Sequence, residues 1–154
     1  MFMFFSPKME AGDTPWSFRI SLDPLHTTFT HNSTCLGVNF EPRYSILNDF
    51  HVGLGVGVLE TYRFNTSPRI PVFLGFHIDD YKSTVSGIYN LETGFMISTG
   101  NGTRNSYFLN PQWGFRAYNV AFTVGYVGGV PIDSNGSKKW FNGLSIRLSY
   151  MFGI

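Results

Sequence analysis

Lysine is scarce in this chain, cysteine occurs once, and no apolar run is long enough to form a membrane helix. The four lysines, Lys8, Lys82, Lys138 and Lys139, form no patch larger than a pair, and the formal net charge is only +1. A nucleic-acid partner, which requires a basic stripe or patch, is not expected. The lone Cys35 excludes an internal disulfide framework and any cysteine-based zinc site, and reads as a buried or barrel-lining thiol. His26, His31, His51 and His77 lack metal-ligand spacing, so neither a metal nor another cofactor is expected. A spanning helix needs roughly 18 to 20 apolar residues, so any passage through a bilayer must use strands. The start does not read as an export signal. Met1 to Phe5 is apolar but has no basic segment before it and is shorter than a signal core. A membrane reading therefore expects a mature or truncated chain.

Aromatic residues and glycine are plentiful: 18% of the chain is aromatic against 14% charged, without the Ala, Leu, Glu and Lys excess of helical proteins. The composition points to an all-β fold, and 154 residues suit one domain. Apolar and polar residues alternate with period 2 almost throughout. Trp16 to Asp23 sets Trp16, Phe18, Ile20 and Leu22 against Ser17, Arg19, Ser21 and Asp23. The same design recurs over Thr34 to Tyr44, His51 to Thr61, Arg69 to Ile78, Ile88 to Ser98, Tyr107 to Ala117, Val120 to Val127 and Gly143 to Phe152. Pro111 is expected to weaken the ladder and suggests a bulge or an edge-like spot. About eight strands of about 8 to 11 residues are even in number and long enough to cross a bilayer at a tilt.

The connections have two characters. Ser45 to Phe50, Asp79 to Gly87 and Tyr118-Asn119 read as inner turns; Pro24 to Ser33, Tyr62 to Pro68, Thr99 to Ser106 and Gly128 to Asn142 read as outer loops. The expected architecture is a closed up-and-down antiparallel transmembrane β-barrel over residues 16–154, preceded by an N-terminal extension, 1–15.

Alternation alone does not say which face meets lipid, since a soluble ligand-carrying barrel of lipocalin type has the same period. The polar face carries no lysine. It is built from Gly, Ser, Asn, Gln and Thr with isolated charges at Arg19, Glu41, Arg43, Glu92, Arg116 and Arg147. Small residues suit a crowded interior, in which Gly53, Gly55 and Gly57 are expected to leave room for long side chains such as Arg43. Buried charges must be paired, so the arginines are expected to meet Glu41, Glu92 and nearby amides, Asn110 and Gln112 among them, giving a filled lumen rather than a wide pore. Trp16, Tyr44, Tyr62, Tyr81, Tyr107, Tyr126, Trp140 and Phe141 fall near strand ends, where aromatic girdles sit at the headgroup level.

Several segments carry a resemblance. Gly53-Leu54-Gly55-Val56-Gly57, Arg69-Ile70-Pro71-Val72-Phe73, Ser106-Tyr107-Phe108-Leu109-Asn110-Pro111 with Gly114-Phe115-Arg116, and Gly143 to Phe152 occur in that order. In this the chain resembles the eight-stranded outer-membrane β-barrel domain widespread in Bacteroidota, over most of Phe18 to Phe152. The last segment is similar to the closing strand that the outer-membrane insertion machinery recognises, although Gly153 and Ile154 follow its final aromatic residue. The resemblance implies residence in the bacterial outer membrane.

Three functions remain in view. The first is a structural or surface-interaction barrel, monomeric, held by outer-membrane lipids, with outer loops that meet an extracellular ligand or protein. A lipid A-modifying barrel enzyme is the second, for which His31, Ser33 and Glu60 near the outer rim are the candidate nucleophile set. No motif supplies an oxyanion site for it, so a non-enzyme is expected. The third is the soluble carrier.

Overall fold

The structure, a computed structural model, describes residues 15–28, 33–61, 68–80, 83–100, 105–132 and 140–153. Strand-forming alternation becomes eight strands: β1 (Trp16–Thr28), β2 (Ser33–Leu47), β3 (Phe50–Thr61), β4 (Arg69–Asp79), β5 (Val85–Ser98), β6 (Ser106–Ala117), β7 (Val120–Pro131) and β8 (Phe141–Gly153). They pair antiparallel in chain order, and β1 pairs β8 to close the barrel. The ends of β2, β4 and β6 and the starts of β3, β5 and β7 lie at one end, the turn end, with the start of β1 and the end of β8; the opposite, loop end holds the other strand ends.

Several strands run further than their alternation. β1 continues through Pro24 to Thr28, β7 passes Gly128 and Gly129 to reach Pro131, and the turn expected over Asp79 to Gly87 shrinks to 80–84. A bulge or a glycine interrupts the side-chain period without ending the backbone ladder. In β1 the register shifts between Asp23 and His26 against β2, and between Leu22 and Leu25 against β8. Pro24 occupies this bulge, where its missing N–H removes no ladder bond.

Pro111 weakens the ladder, as expected, but no bulge forms there. Pro111 pairs with Leu91, and the register against β7 runs from Leu109↔Gly128 to Gln112↔Gly125 without a slip. The ladder merely skips Asn110 and Pro111. It treats Pro42 and Pro71 the same way, passing from Phe40↔Val56 to Arg43↔Gly53 and from Val56↔Val72 to Leu59↔Arg69. One absent donor costs one bond on one side, and the flanking bonds hold the register.

Cross-strand partners followed from Ile20 through Phe40, Val56, Val72, Phe95 and Tyr107 arrive at Val130. A row that starts near the turn end of β1 thus finishes near the loop end of β7, the stagger that tilted strands need for closure.

Candidate functional site

Period 2 on a closed sheet sends alternate side chains to opposite sides of one wall. Here the charged set points inward. Arg19, Arg43 and Arg147 are 3%, 2% and 3% exposed, while Val38, Trp113 and Leu148 on the outer wall are 52%, 57% and 46% exposed. Glu41, Glu92, Asn110, Gln112 and Arg116 are buried in the lumen too. A soluble carrier requires the reverse, an apolar cavity inside a polar wall.

The inward charges form a ladder of shared partners. Arg147 donates from Nε and Nη2 to the two oxygens of Asp23, at 2.5 and 3.0 Å, and from Nη1 to Glu92. Arg19 Nη2 lies 2.5 Å from Glu92 Oε1 and 2.6 Å from Glu41 Oε2. His77 Nε2 lies 2.7 Å from the other oxygen of Glu41. With Nε2–H donating to Glu41, Nδ1 of the neutral ring must accept. Asn90 accordingly turns its amide nitrogen to Nδ1 at 2.8 Å and its oxygen to Arg19 Nη1 at 3.3 Å. Arg19 and Arg147 therefore each bridge two carboxylates, the arrangement that makes buried charge tolerable.

Neutral groups complete the carboxylates' shells. Asn110 and Gln112 donate to Glu92 Oε2 at 3.3 and 3.1 Å, and Asn39 donates to Asp23 Oδ2 at 2.8 Å. Thr123 and Ser145 in turn donate to Gln112 and Asn110.

Not every arginine meets Glu41 or Glu92. Arg116 holds Asp79 at the turn end, its Nε 3.0 and 3.1 Å from the two oxygens, and its Nη1 donates to the Tyr118 carbonyl at 2.6 Å. That last bond braces a turn residue whose φ of 54° lies in the left-handed region used by short hairpins. Arg43 Nη1 reaches Met151 Sδ at 3.0 Å.

The glycines also differ from expectation in what they accommodate. A Cβ on Gly53 or Gly75 would overlap the Glu41 carboxylate, one on Gly55 the Phe73 ring, and one on Gly57 the Asn39 amide. They make room for those side chains rather than for Arg43.

Two apolar clusters pack in the lumen beside the charges. Cys35, Leu59, Phe73, Met96, Phe108, Val127 and Phe141 cluster toward the loop end, with Phe73 and Phe108 edge to face at 6.4 Å. Ile88, Ala121 and Met151 pack toward the turns. Phe141, counted above with the rim aromatics, is thus an interior residue: it opens β8 on the same side as Gly143 and Ser145. Trp16, Tyr44, Tyr107, Tyr126 and Trp140 do stand exposed on the outer wall. Trp16 and Tyr44 meet edge to face at the turn end, 5.1 Å between centroids, and Tyr107 bonds to the Thr93 hydroxyl near the loop end. Tyr62 and Tyr81 lie outside the described residues.

Asp23, His51, His77 and Asp79 also belong to the interior network, beyond the charges that the sequence assigns to it. Period 2 continued one residue past Ile78 would have put Asp79 beside His77 and Gly75, on the face that turns inward. His51 Nδ1 lies 2.8 Å from Ser45 Oγ, but its Nε2 faces the Asp79 backbone carbonyl at 3.4 Å. A carbonyl cannot support an imidazolium as a carboxylate would, so this pair is a clamp across β2, β3 and β4. Of the rim set weighed for catalysis, His31 lies outside the described residues, as does the Ser33 side chain, and Glu60 is exposed near the loop end of β3. Among the described residues no cluster of three potential metal ligands occurs. A shallow outward groove of about 400 Å³ between Phe76, Ile78, Tyr89, Leu91, Pro111 and Trp113 has almost no polar lining.

Comparison with protein-family models finds no match, and comparison with curated proteins finds none. Solved structures do match, at low identity. The crystal structure of the outer membrane enzyme PagL is 7% identical, with a TM-score of 0.57 over 87% of this chain and 98% of that one. The N-terminal β-barrel domain of Pseudomonas aeruginosa OprF is 11% identical, with a TM-score of 0.53 over 89% of this chain and 96% of that one. Neisserial surface protein A is 14% identical, with a TM-score of 0.52 over 90% of this chain and 94% of that one. The shared property is the fold, that of the small closed barrels of bacterial outer membranes.

Proposed function

We propose that this chain is an integral barrel of the bacterial outer membrane, of the kind widespread in Bacteroidota. In this reading the lumen is a filled strut, the protein is a monomer held by outer-membrane lipids, and its role is structural or one of surface interaction. The outer loops are then the part that meets an extracellular ligand or protein. One observation carries the proposal: the charges are paired inside and the large apolar side chains stand outside around the whole wall. In water that distribution would expose one continuous apolar surface, far beyond the few hundred Å² common on soluble monomers. In a bilayer it is the arrangement of lowest energy.

The rim aromatics Trp16, Tyr44, Tyr107, Tyr126 and Trp140 are assigned to the two headgroup levels, where amphipathic rings are favoured. The lumen residues Arg19, Glu41, Arg43, Glu92, Asn110, Gln112, Arg116 and Arg147 act as packing. The test is fractionation with a conductance readout. The chain is expected in the detergent-extracted outer-membrane fraction, with no discrete channel steps in planar bilayers. Recovery from the aqueous fraction would overturn membrane residence, and regular conductance steps would overturn the filled lumen.

A further inference from the structure

The contact between β1 and β8 differs from every other in the barrel. Each other neighbouring pair is joined by a hairpin, but Ser21 and Ser149, whose hydroxyl oxygens face each other at 3.0 Å across this seam, are 128 residues apart in sequence. Closing so long a loop carries the largest entropic cost, and contacts of such separation form late.

One buried ion pair spans that seam and is tied to the rest of the interior network. Asp23 of β1 takes two donors of Arg147 of β8. Arg147 and Arg19 then share Glu92 of β5, on the wall opposite, and Arg19 also takes Glu41 of β2. These pairs require β1, β5 and β8 to be in place together. The backbone ladder is interrupted at the same point, since the β1–β8 register shifts between Leu22 and Leu25 around Asp23. Arg116 and Asp79, by contrast, join β6 to β4 within continuous sheet and need no seam.

We propose that Asp23, Arg147, Glu92 and Arg19 form a closure lock. With every hairpin made but the seam open, Asp23 and Arg147 are separated and Glu92 holds neither guanidinium, so a partly closed barrel carries uncompensated charge in a drying interior. Seam closure and charge pairing are then one event, and the finished barrel resists lateral reopening at β1–β8. The inference goes beyond the functional reading above, because it concerns how the barrel shuts whatever its loops meet.

The test uses the full chain with Cys35→Ala, Ser21→Cys and Ser149→Cys, whose paired thiols report closure by disulfide formation with oxidised glutathione during refolding into detergent micelles. Against this background, Arg147→Met is expected to gain strand signal in circular dichroism at an unchanged rate but to close the seam roughly tenfold more slowly. Arg116→Met removes a buried arginine without touching the seam and is expected to close at the parent rate. Equal slowing in both variants, or in neither, overturns the lock. Should Arg147→Met gain no strand signal, Asp23→Asn decides the matter in the folded state. The reduced thiols are expected to react with a maleimide roughly tenfold faster in Asp23→Asn than in the parent, because the seam opens locally. Equal reactivity overturns the proposal.

Discussion

Glu92 is the residue on which the interior depends most, because two guanidiniums and two amides converge on one carboxylate. Replacing it with Gln keeps the shape and removes the charge, leaving Arg19 with Glu41 alone and Arg147 with Asp23 alone. Glu92→Gln is expected to lower stability by about 3 to 5 kcal/mol, the usual loss when one member of a buried charge network is removed. Urea unfolding in phospholipid vesicles, followed by tryptophan fluorescence, measures it. Packing sets a second limit at this scale. The Phe73 ring fills the place where a Gly55 side chain would project. Gly55→Ala is therefore expected to cost about 1 to 3 kcal/mol by overpacking, and adding Phe73→Leu is expected to recover part of that loss. The same unfolding assay, run on the single and double substitutions, reads both values. Such pairings were only partly legible in the sequence. Alternation separates Arg19, Glu41 and Glu92 from the apolar set, but partners depend on register and on which strands stand opposite in the closed barrel. Nothing local in the sequence links Arg116 to Asp79, or Gly55 to Phe73.

Single strands show the same division between pattern and partner. The period 2 signal over β8 is unbroken from Gly143 to Phe152, and the strand occupies Phe141–Gly153. The signal fails over β1 and β7, where Pro24 and the Gly128-Gly129 pair interrupt side-chain alternation while backbone pairing goes on. Strand existence was legible for that reason and strand length was not. Pro111 misleads in the other direction, since its missing donor is a local fact and the register is held by its neighbours. On β8 the outward Leu148 pairs with Leu22 and Phe122. Leu148→Arg is expected to destabilise the barrel by about 2 to 4 kcal/mol in bilayers, the cost of a guanidinium near the midplane on a lipid face. An unfolding midpoint equal to that of the parent chain would contradict this placement of β8.

At the scale of the whole molecule, an all-β chain with an even number of alternating strands was readable as a closed barrel, and the structure has that form. What alternation leaves open is sidedness, since two faces of period 2 are symmetric until one is assigned to the interior. Composition breaks the symmetry. Gly, Ser, Asn and Arg without Lys fit a crowded lumen, and the large apolar residues fit an outer belt. Everything above depends on this inside-out distribution in a membrane. A nitroxide scan of residues 144–152, in a Cys35→Ala chain reconstituted in lipid vesicles, tests it most directly. Collision with lipid-soluble oxygen is predicted to peak at Leu144, Ile146, Leu148 and Tyr150 and to fall at Ser145, Arg147 and Ser149, with little access for a water-soluble nickel complex at either set. Oxygen access highest at the odd positions, or nickel access at Leu148 matching that of a free aqueous label, would contradict it.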